Sequence, residues 1–395
     1  MRRKPLASGP RCRFLVYALV CPVLGLCGCG DSVPDYPSTL SFPSRADRLV
    51  LKLPESPPPG PDAAGERDAA IARLDAAGGK TADPALATHD KRLALNRFLK
   101  DVFGTPAAPT IAGEADAAVV ERLGLTADKL AEGSRLFRRH CEQCHNLAGD
   151  GRGPAGIGVV PFPRDFRQGK YKFVTTGTEK PRRADILRTL AEGLKGTAMP
   201  SFGLLPETDR DAMARYATYL AIRGQVEYQS LASALDGNAG DPRAAAAANL
   251  KTALGEWDKA ENGPQPVGIT AEPDDGPPGS SSHAAAVRRG YQLFTAKTEN
   301  SCITCHGDFG RKPVLRYDVW GTVAKPADFT ATTLKAGTRP QDIFARIRGG
   351  IPPVGMPAHP ELSHRQVWDL VRFVRSAPYQ VQLPEDVRAA VYSNR

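Results

Sequence analysis

Two five-residue clusters could do chemistry in this sequence: Cys141-Glu142-Gln143-Cys144-His145 and Cys302-Ile303-Thr304-Cys305-His306. In each, two thiols stand about one helical turn apart, so both sulfurs can reach one edge of a planar ligand. The imidazole next in line faces across the plane towards a central metal. That is the arrangement for covalent attachment of a haem, with His145 and His306 as axial ligands. Paired Cys-x2-Cys elements can also build a four-thiolate zinc site. Here 157 residues separate the pairs, and each ends in a His that zinc does not require. A thioredoxin-like redox motif fits less well still. Of eight cysteines, Cys12, Cys21, Cys27 and Cys29 lie near the N-terminus and the clusters use the rest, so no disulfide framework remains. The expected cofactor is two covalently attached haems c, held by Cys141, Cys144, Cys302 and Cys305.

Such a haem needs a second strong ligand or an open site, and that choice separates carriers from enzymes. The methionines are Met1, Met199, Met213 and Met356. Met199 and Met356 occupy matching points of an internal repeat. Asp185-Ile186 leads to Gly193 and Met199-Pro200; Asp342-Ile343 leads to Gly350 and Met356-Pro357, with fourteen residues from Asp to Met in both. Met199 and Met356 are therefore the expected sixth ligands. Met213 falls on a helical apolar stripe where the second repeat has Leu370, and is expected in the core. A thioether raises the reduction potential relative to two imidazoles. Two strong ligands also leave no vacant position for peroxide or oxygen.

The repeat extends to the elements that must hold these ligands. Gly133 and Phe137 precede the first cluster as Gly290 and Phe294 precede the second, and Gly149-Asp150 and Gly307-Asp308 follow them. Pro163-Arg164-Asp165-Phe166 matches Pro326-Ala327-Asp328-Phe329. Met213, Tyr216, Ala217 and Leu220, and again Val367, Leu370, Val371 and Val374, give the i, i+3, i+4, i+7 pattern of a terminal helix. Ser363-x-x-Gln366 forms a capping box for the latter. Strand signals are weak in both modules, so the expected class is all-α.

Together these residues make both modules similar to class I cytochrome c domains, over about 215 of the 395 residues. The resemblance implies small helical folds whose first and last helices cross near a haem edge. Gly133 and Gly290 would permit close approach there, against Tyr216 and Phe373. It also implies that a backbone carbonyl from a Pro-containing loop receives the other ring N–H of each ligating His, and nominates Pro163 and Pro326, with Pro154 a competitor. Arg188 and Arg346 would meet haem propionates or face solvent. His140, His359 and His364 read as surface residues, and His89 and His283 lie in linker-like chain. One departure is the eight-residue step from Phe294 to Cys302, against four from Phe137 to Cys141.

The organisation expected is two such haem domains in tandem, 116–228 and 284–385, preceded and joined by Pro/Gly/Ala-rich linkers. Pro (35) and Gly (38) are abundant enough to support substantial irregular chain. Residues 1–28 read as a lipoprotein signal peptide: a basic start, a thirteen-residue apolar run from Phe14 to Leu26, and Leu26-Cys27-Gly28-Cys29, which resembles a bacterial lipobox. That run is shorter than the roughly 20 residues a spanning helix needs. Cys29 would be the lipidated residue. Residues 29–115 read as a Pro-rich tether with a helix near 85–104 that is expected to pack on the first haem module, the alternative being a partner-binding helix; 229–283 read as a linker with an Ala-rich helix, and 386–395 as a tail. Removing the five leader cations lowers the formal charge from +9 to +4, and haem propionates lower it further, so nothing calls for nucleic acid.

The expected function is single-electron transfer by an exported, periplasmic, membrane-anchored dihaem cytochrome, not an enzyme. Its partners would be a quinol-oxidising complex, a terminal oxidase or a dehydrogenase. The alternatives are a dihaem peroxidase, a permanent haem-bearing subunit of an oxidase or dehydrogenase, and a gas sensor.

Overall fold

A computed structural model describes residues 35–58, 67–236, 240–264, 267–298 and 301–393. The leader and Cys29 lie outside the described residues. Among those described, no helix is long and apolar enough to cross a membrane.

The first half begins with β1 (Leu49–Lys52), α1 (Arg67–Arg73) and β2 (Lys80–Ala82), the two strands pairing antiparallel. Then come α2 (His89–Phe103), α3 (Ala117–Arg122), α4 (Ala127–His140), α5 (Glu142–His145), α6 (Arg183–Glu192), α7 (Glu207–Leu235) and α8 (Pro242–Asn262). The second half has α9 (Ser281–Thr295), α10 (Cys302–Cys305), the hairpin β3 (Arg316–Tyr317) and β4 (Val323–Ala324), α11 (Pro340–Gly349), α12 (His364–Ser376) and α13 (Glu385–Tyr392). Helix dominates, and the all-α class holds.

Each half is organised by a helix crossing, α4 on α7 and α9 on α12. Glycine permits both. A Cβ on Gly133 would lie 2.3 Å from the Ala212 carbonyl oxygen and 2.8 Å from Tyr216 Cβ. On Gly290 it would lie 2.1 Å from the Asp369 oxygen and 2.8 Å from Phe373 Cβ. The apolar stripe of α12 faces that crossing, and its N-terminus carries the capping box of Ser363 and Gln366.

Helix α7 is buried almost all round from Ala212 to Glu227, Arg223, Gln225 and Glu227 included, so it has cover on every side. Helices α4 and α6 supply one part of it, and α2 and α8 supply another. The helix expected near 85–104 is α2, and it packs on the first domain; the chain around it, read as a tether, is built in as well, with Leu49 and Ile111 in the same core. Leu95, Phe98, Leu99, Val102 and Phe103 of α2 and Leu250, Leu254 and Trp257 of α8 join Tyr216, Tyr219 and Leu220 in one core. Phe98 and Phe103 are fully buried, and each such side chain contributes about 2 kcal/mol. The Tyr219 hydroxyl donates to the Phe103 carbonyl (2.5 Å) and Ser134 Oγ to that of Pro106 (2.6 Å).

The segment read as a linker is likewise built in. Val267 enters the second core, Trp368 Nε1 donates to Thr270 Oγ1 (3.0 Å), and Asp275 pairs with Arg365. The segment read as a tail is α13, whose Val387 and Val391 are buried in that core. Proline content read as extended chain; sparse apolar side chains at helical spacing anchor it instead.

Candidate haem-binding sites

Helix α4 delivers Cys141 at its C-terminal cap, and α5 turns the next residues so that the His145 amide donates to the Cys141 carbonyl (2.9 Å). Asn146 then takes φ +60°, reversing the chain immediately after the histidine. The His145 Nδ1–H donates to the Arg164 carbonyl at 3.0 Å, because a carbonyl can only accept. That fixes the tautomer and leaves Nε2 with a lone pair for a metal. Phe166 stacks on the ring at 4.6 Å and 18°. Burial pushes the His145 pKa down to about 4, so the imidazole is neutral at pH 7, as a ligand must be.

The second site repeats this geometry. His306 Nδ1 donates to the Ala327 carbonyl at 3.1 Å, and Phe329 lies 4.6 Å from its ring. Burial lowers the His306 pKa as well. The acceptors are therefore Arg164 and Ala327, one residue beyond the nominated Pro163 and Pro326. Proline shapes each loop, and the next carbonyl turns inward.

Cys141, Cys144, Cys302 and Cys305 form no disulfides and stand where thioether sulfurs would be. Burial pushes Cys141 up to about 12 and Cys302 up to about 11, as the apolar ground on which both sit requires. Cys141 packs against a cluster of Leu136, Ile186, Leu190 and Met213, and Met199 packs against that same cluster. Cys302 lies against the second core beside Phe294, whereas Met356 stands outside that core, half-buried in its own loop. Among the described residues, no three His, Cys, Asp or Glu side chains converge as a metal cluster, so the cysteine pairs do not share a site.

Both methionine loops fold back over a helix end through glycine. Gly193 (φ +67°) and Gly350 (φ +70°) terminate α6 and α11, and a Cβ at either would lie 2.7 Å from backbone at Pro200 or Met356. The Leu194 amide then donates to the Met199 carbonyl (3.2 Å), and the Ile351 amide to that of Met356 (3.0 Å). These residues fit a haem: a neutral imidazole with a free Nε2, paired sulfurs on apolar ground, and a thioether in a glycine-hinged loop.

Several other expectations change. Arg188 pairs with Asp185 (2.9 Å) and, across the two halves, with Asp342 (3.6 Å). Arg346 donates to the carbonyls of Ala336 and Gly337 and lies over Phe173. His283 is buried against Ser376, and His359 is buried beside Glu361. Sequence reasoning passed over the β3–β4 hairpin, whose Trp320 reaches the His145 loop. Only its Asp318 and Gly321 turn residues could have marked it.

The family profile described as cytochrome c oxidase, cbb3-type, subunit III, matches residues 128–216 and again 285–374. These are two tandem cytochrome c domains. Each match begins in or just before the entry helix of a cytochrome domain and ends in its terminal helix, enclosing the Cys-x-x-Cys-His cluster and the Met-Pro loop. The cytochrome domains therefore imply covalently bound haem c, and an electron-carrying role is the one they suggest. A solved structure, the reducing HAO-like protein complex of Kuenenia stuttgartiensis, is 27% identical over 62% of this chain and 95% of its own, with a TM-score of 0.46. No curated protein matches the chain.

Proposed function

We propose that this protein is a dihaem cytochrome c that passes single electrons between redox proteins through two His/Met-ligated haems. The observation that carries the reading is the repeated hold on the histidines: Nδ1 to the Arg164 carbonyl and Nδ1 to the Ala327 carbonyl, at equivalent loop positions. Bound haem supplies one-electron iron chemistry. The chain's own residues do the rest. His145 and His306 offer Nε2, their loop carbonyls orient the rings and raise ligand basicity, and Phe166 and Phe329 pack against the ring faces. Met199 and Met356 would complete the coordination and favour the reduced state.

Export and a lipid anchor at Cys29 belong to the same proposal, together with a quinol-oxidising complex, dehydrogenase or terminal oxidase as partner. The oxidase subunit named in the matched family's description supports an oxidase among those partner classes.

The test is an absorption spectrum of the exported, haem-loaded protein, oxidised and reduced, with and without carbon monoxide. A sulfur-to-iron band accounting for two haems, with no carbon monoxide binding, is the expected result. A high-spin haem, or ready carbon monoxide binding, would replace the carrier by a peroxidase or gas sensor. The anchor is checked by Cys29→Ser, which should move the protein from the membrane fraction to the soluble one.

A further inference from the structure

The β3–β4 hairpin belongs to the second cytochrome domain, yet its turn touches the histidine loop of the first. Trp320 Nε1–H donates to the Asp165 carbonyl at 3.1 Å, and the Arg164 guanidinium lies 3.6 Å over the indole ring. The same Arg164 supplies the carbonyl that receives His145 Nδ1–H. One indole therefore grips two consecutive residues of the loop that orients an axial ligand.

The hairpin is itself fixed at both ends. The buried Asp318 carboxylate accepts from the Trp320 amide (3.1 Å), the Thr322 amide (3.0 Å) and the Thr322 hydroxyl (2.8 Å), and pairs with Lys172 of the first domain (3.0 Å). Gly321, at φ +77°, sits against Leu74, Ile71 and Val50, where a Cβ would come 2.8 Å from Leu74. In the other direction, the Val319 amide donates to the Pro353 carbonyl (2.9 Å), three residues before Met356. The first domain has no counterpart to this hairpin in the repeat, and Ala327 replaces Arg164 at the equivalent position.

We propose that Trp320 is a positioning residue for His145, and that the hairpin is a strut joining the Met356 loop of one haem site to the His145 loop of the other. The inference rests on the haem reading of His145. By holding Arg164 and Asp165, the indole keeps the Arg164 carbonyl aimed at Nδ1–H. Ligand orientation at the first haem therefore depends on a side chain of the second domain. A general packing role would loosen both histidine loops alike, whereas the indole bears on the loop of His145 and not on that of His306.

The experiment is hydrogen exchange of the two axial histidine ring N–H groups, followed by NMR in the fully reduced haem-loaded protein. Trp320→Phe keeps a ring beneath Arg164 and removes the donor to Asp165; Trp320→Ala removes both. His145 Nδ1–H should exchange faster by about tenfold in Trp320→Phe, the equivalent of roughly one hydrogen bond, and faster again in Trp320→Ala. His306 Nδ1–H should keep its rate in both. Unchanged His145 exchange in Trp320→Phe, or equal acceleration at His306, would overturn the strut. Absence of haem ring-current shifts on the His145 ring in the unsubstituted protein would instead overturn the haem assignment beneath it, so the two failures are distinct.

Discussion

Met213 Sδ lies 4.0 Å from Cys141 Sγ. Its side chain is 1% exposed, in the same cluster that receives Met199. Two methionines thus approach one haem attachment point, and the roles assigned to them differ. Met213→Leu should leave both sulfur-to-iron bands intact and cost less than about 1.5 kcal/mol, as volume-conserving core changes do. Met199→Leu should remove the band of one haem and leave the other. The near-infrared spectrum of each variant checks the pair.

The helix crossings predict a steric result. Gly290→Ala would press a methyl group to 2.1 Å from the Asp369 carbonyl, and Gly133→Ala to 2.3 Å from that of Ala212. Backbone cannot yield as a side-chain tip does, so each change should destabilise its domain by about 2–3 kcal/mol. Gly255→Ala, where nothing lies within 4 Å, should be neutral or slightly stabilising. Denaturant midpoints compare the three.

Acid sensitivity should arise in the ion network that ties the N-terminal segment to the first domain. Arg167 contacts Asp47 at 2.7 Å, and Arg45 contacts it at 2.9 Å. Burial raises the Asp47 pKa, but Arg45 and Arg167 outweigh it and hold the carboxyl at about 2. The value is depressed in the folded state, so the contribution is complete above the unfolded value of about 3.9 and is lost as pH falls through about 2. It amounts to roughly 2 kcal/mol. Urea midpoints should fall across that window, and Asp47→Asn should flatten the fall while lowering stability at neutral pH.

Contacts between the domains should differ greatly in weight. Arg339 and Glu192 pair at 2.7 Å with both side chains about half-exposed, so Glu192→Ala, which leaves the pair between Arg339 and the buried Asp342 intact, should cost less than about 1 kcal/mol. Trp320 is 5% exposed, and its truncation to Ala should cost about 3 kcal/mol or more. Unfolding of the full chain followed by tryptophan-independent circular dichroism separates the two.

What the sequence made legible was local or repeated. The Cys-x-x-Cys-His clusters carry their spacing with them, and Gly133 and Gly290 stand out because the same small residue recurs before both. The packing of α2 was also written there, since Leu95, Phe98, Leu99 and Val102 follow i, i+3, i+4, i+7. Surrounding prolines gave the chain before it the composition of a tether and hid the anchoring of Leu49 in the same core. The Arg164 and Ala327 acceptors were missed by one residue because any backbone carbonyl can accept, so residue type marks the loop but not the atom. The hairpin was illegible for another reason. Two-residue strands are too short to show alternation, and Trp320 finds its partners 155 residues away.

The anchoring of the β3–β4 turn in both halves bears on how fast charge can move between them. Domains on a loose tether exchange electrons only when diffusion brings them together, and thickening the solvent slows that encounter. Here Trp320 and Lys172–Asp318 keep the halves docked. Exchange between the two haems should therefore be indifferent to solvent viscosity, while delivery to an external partner should slow with it.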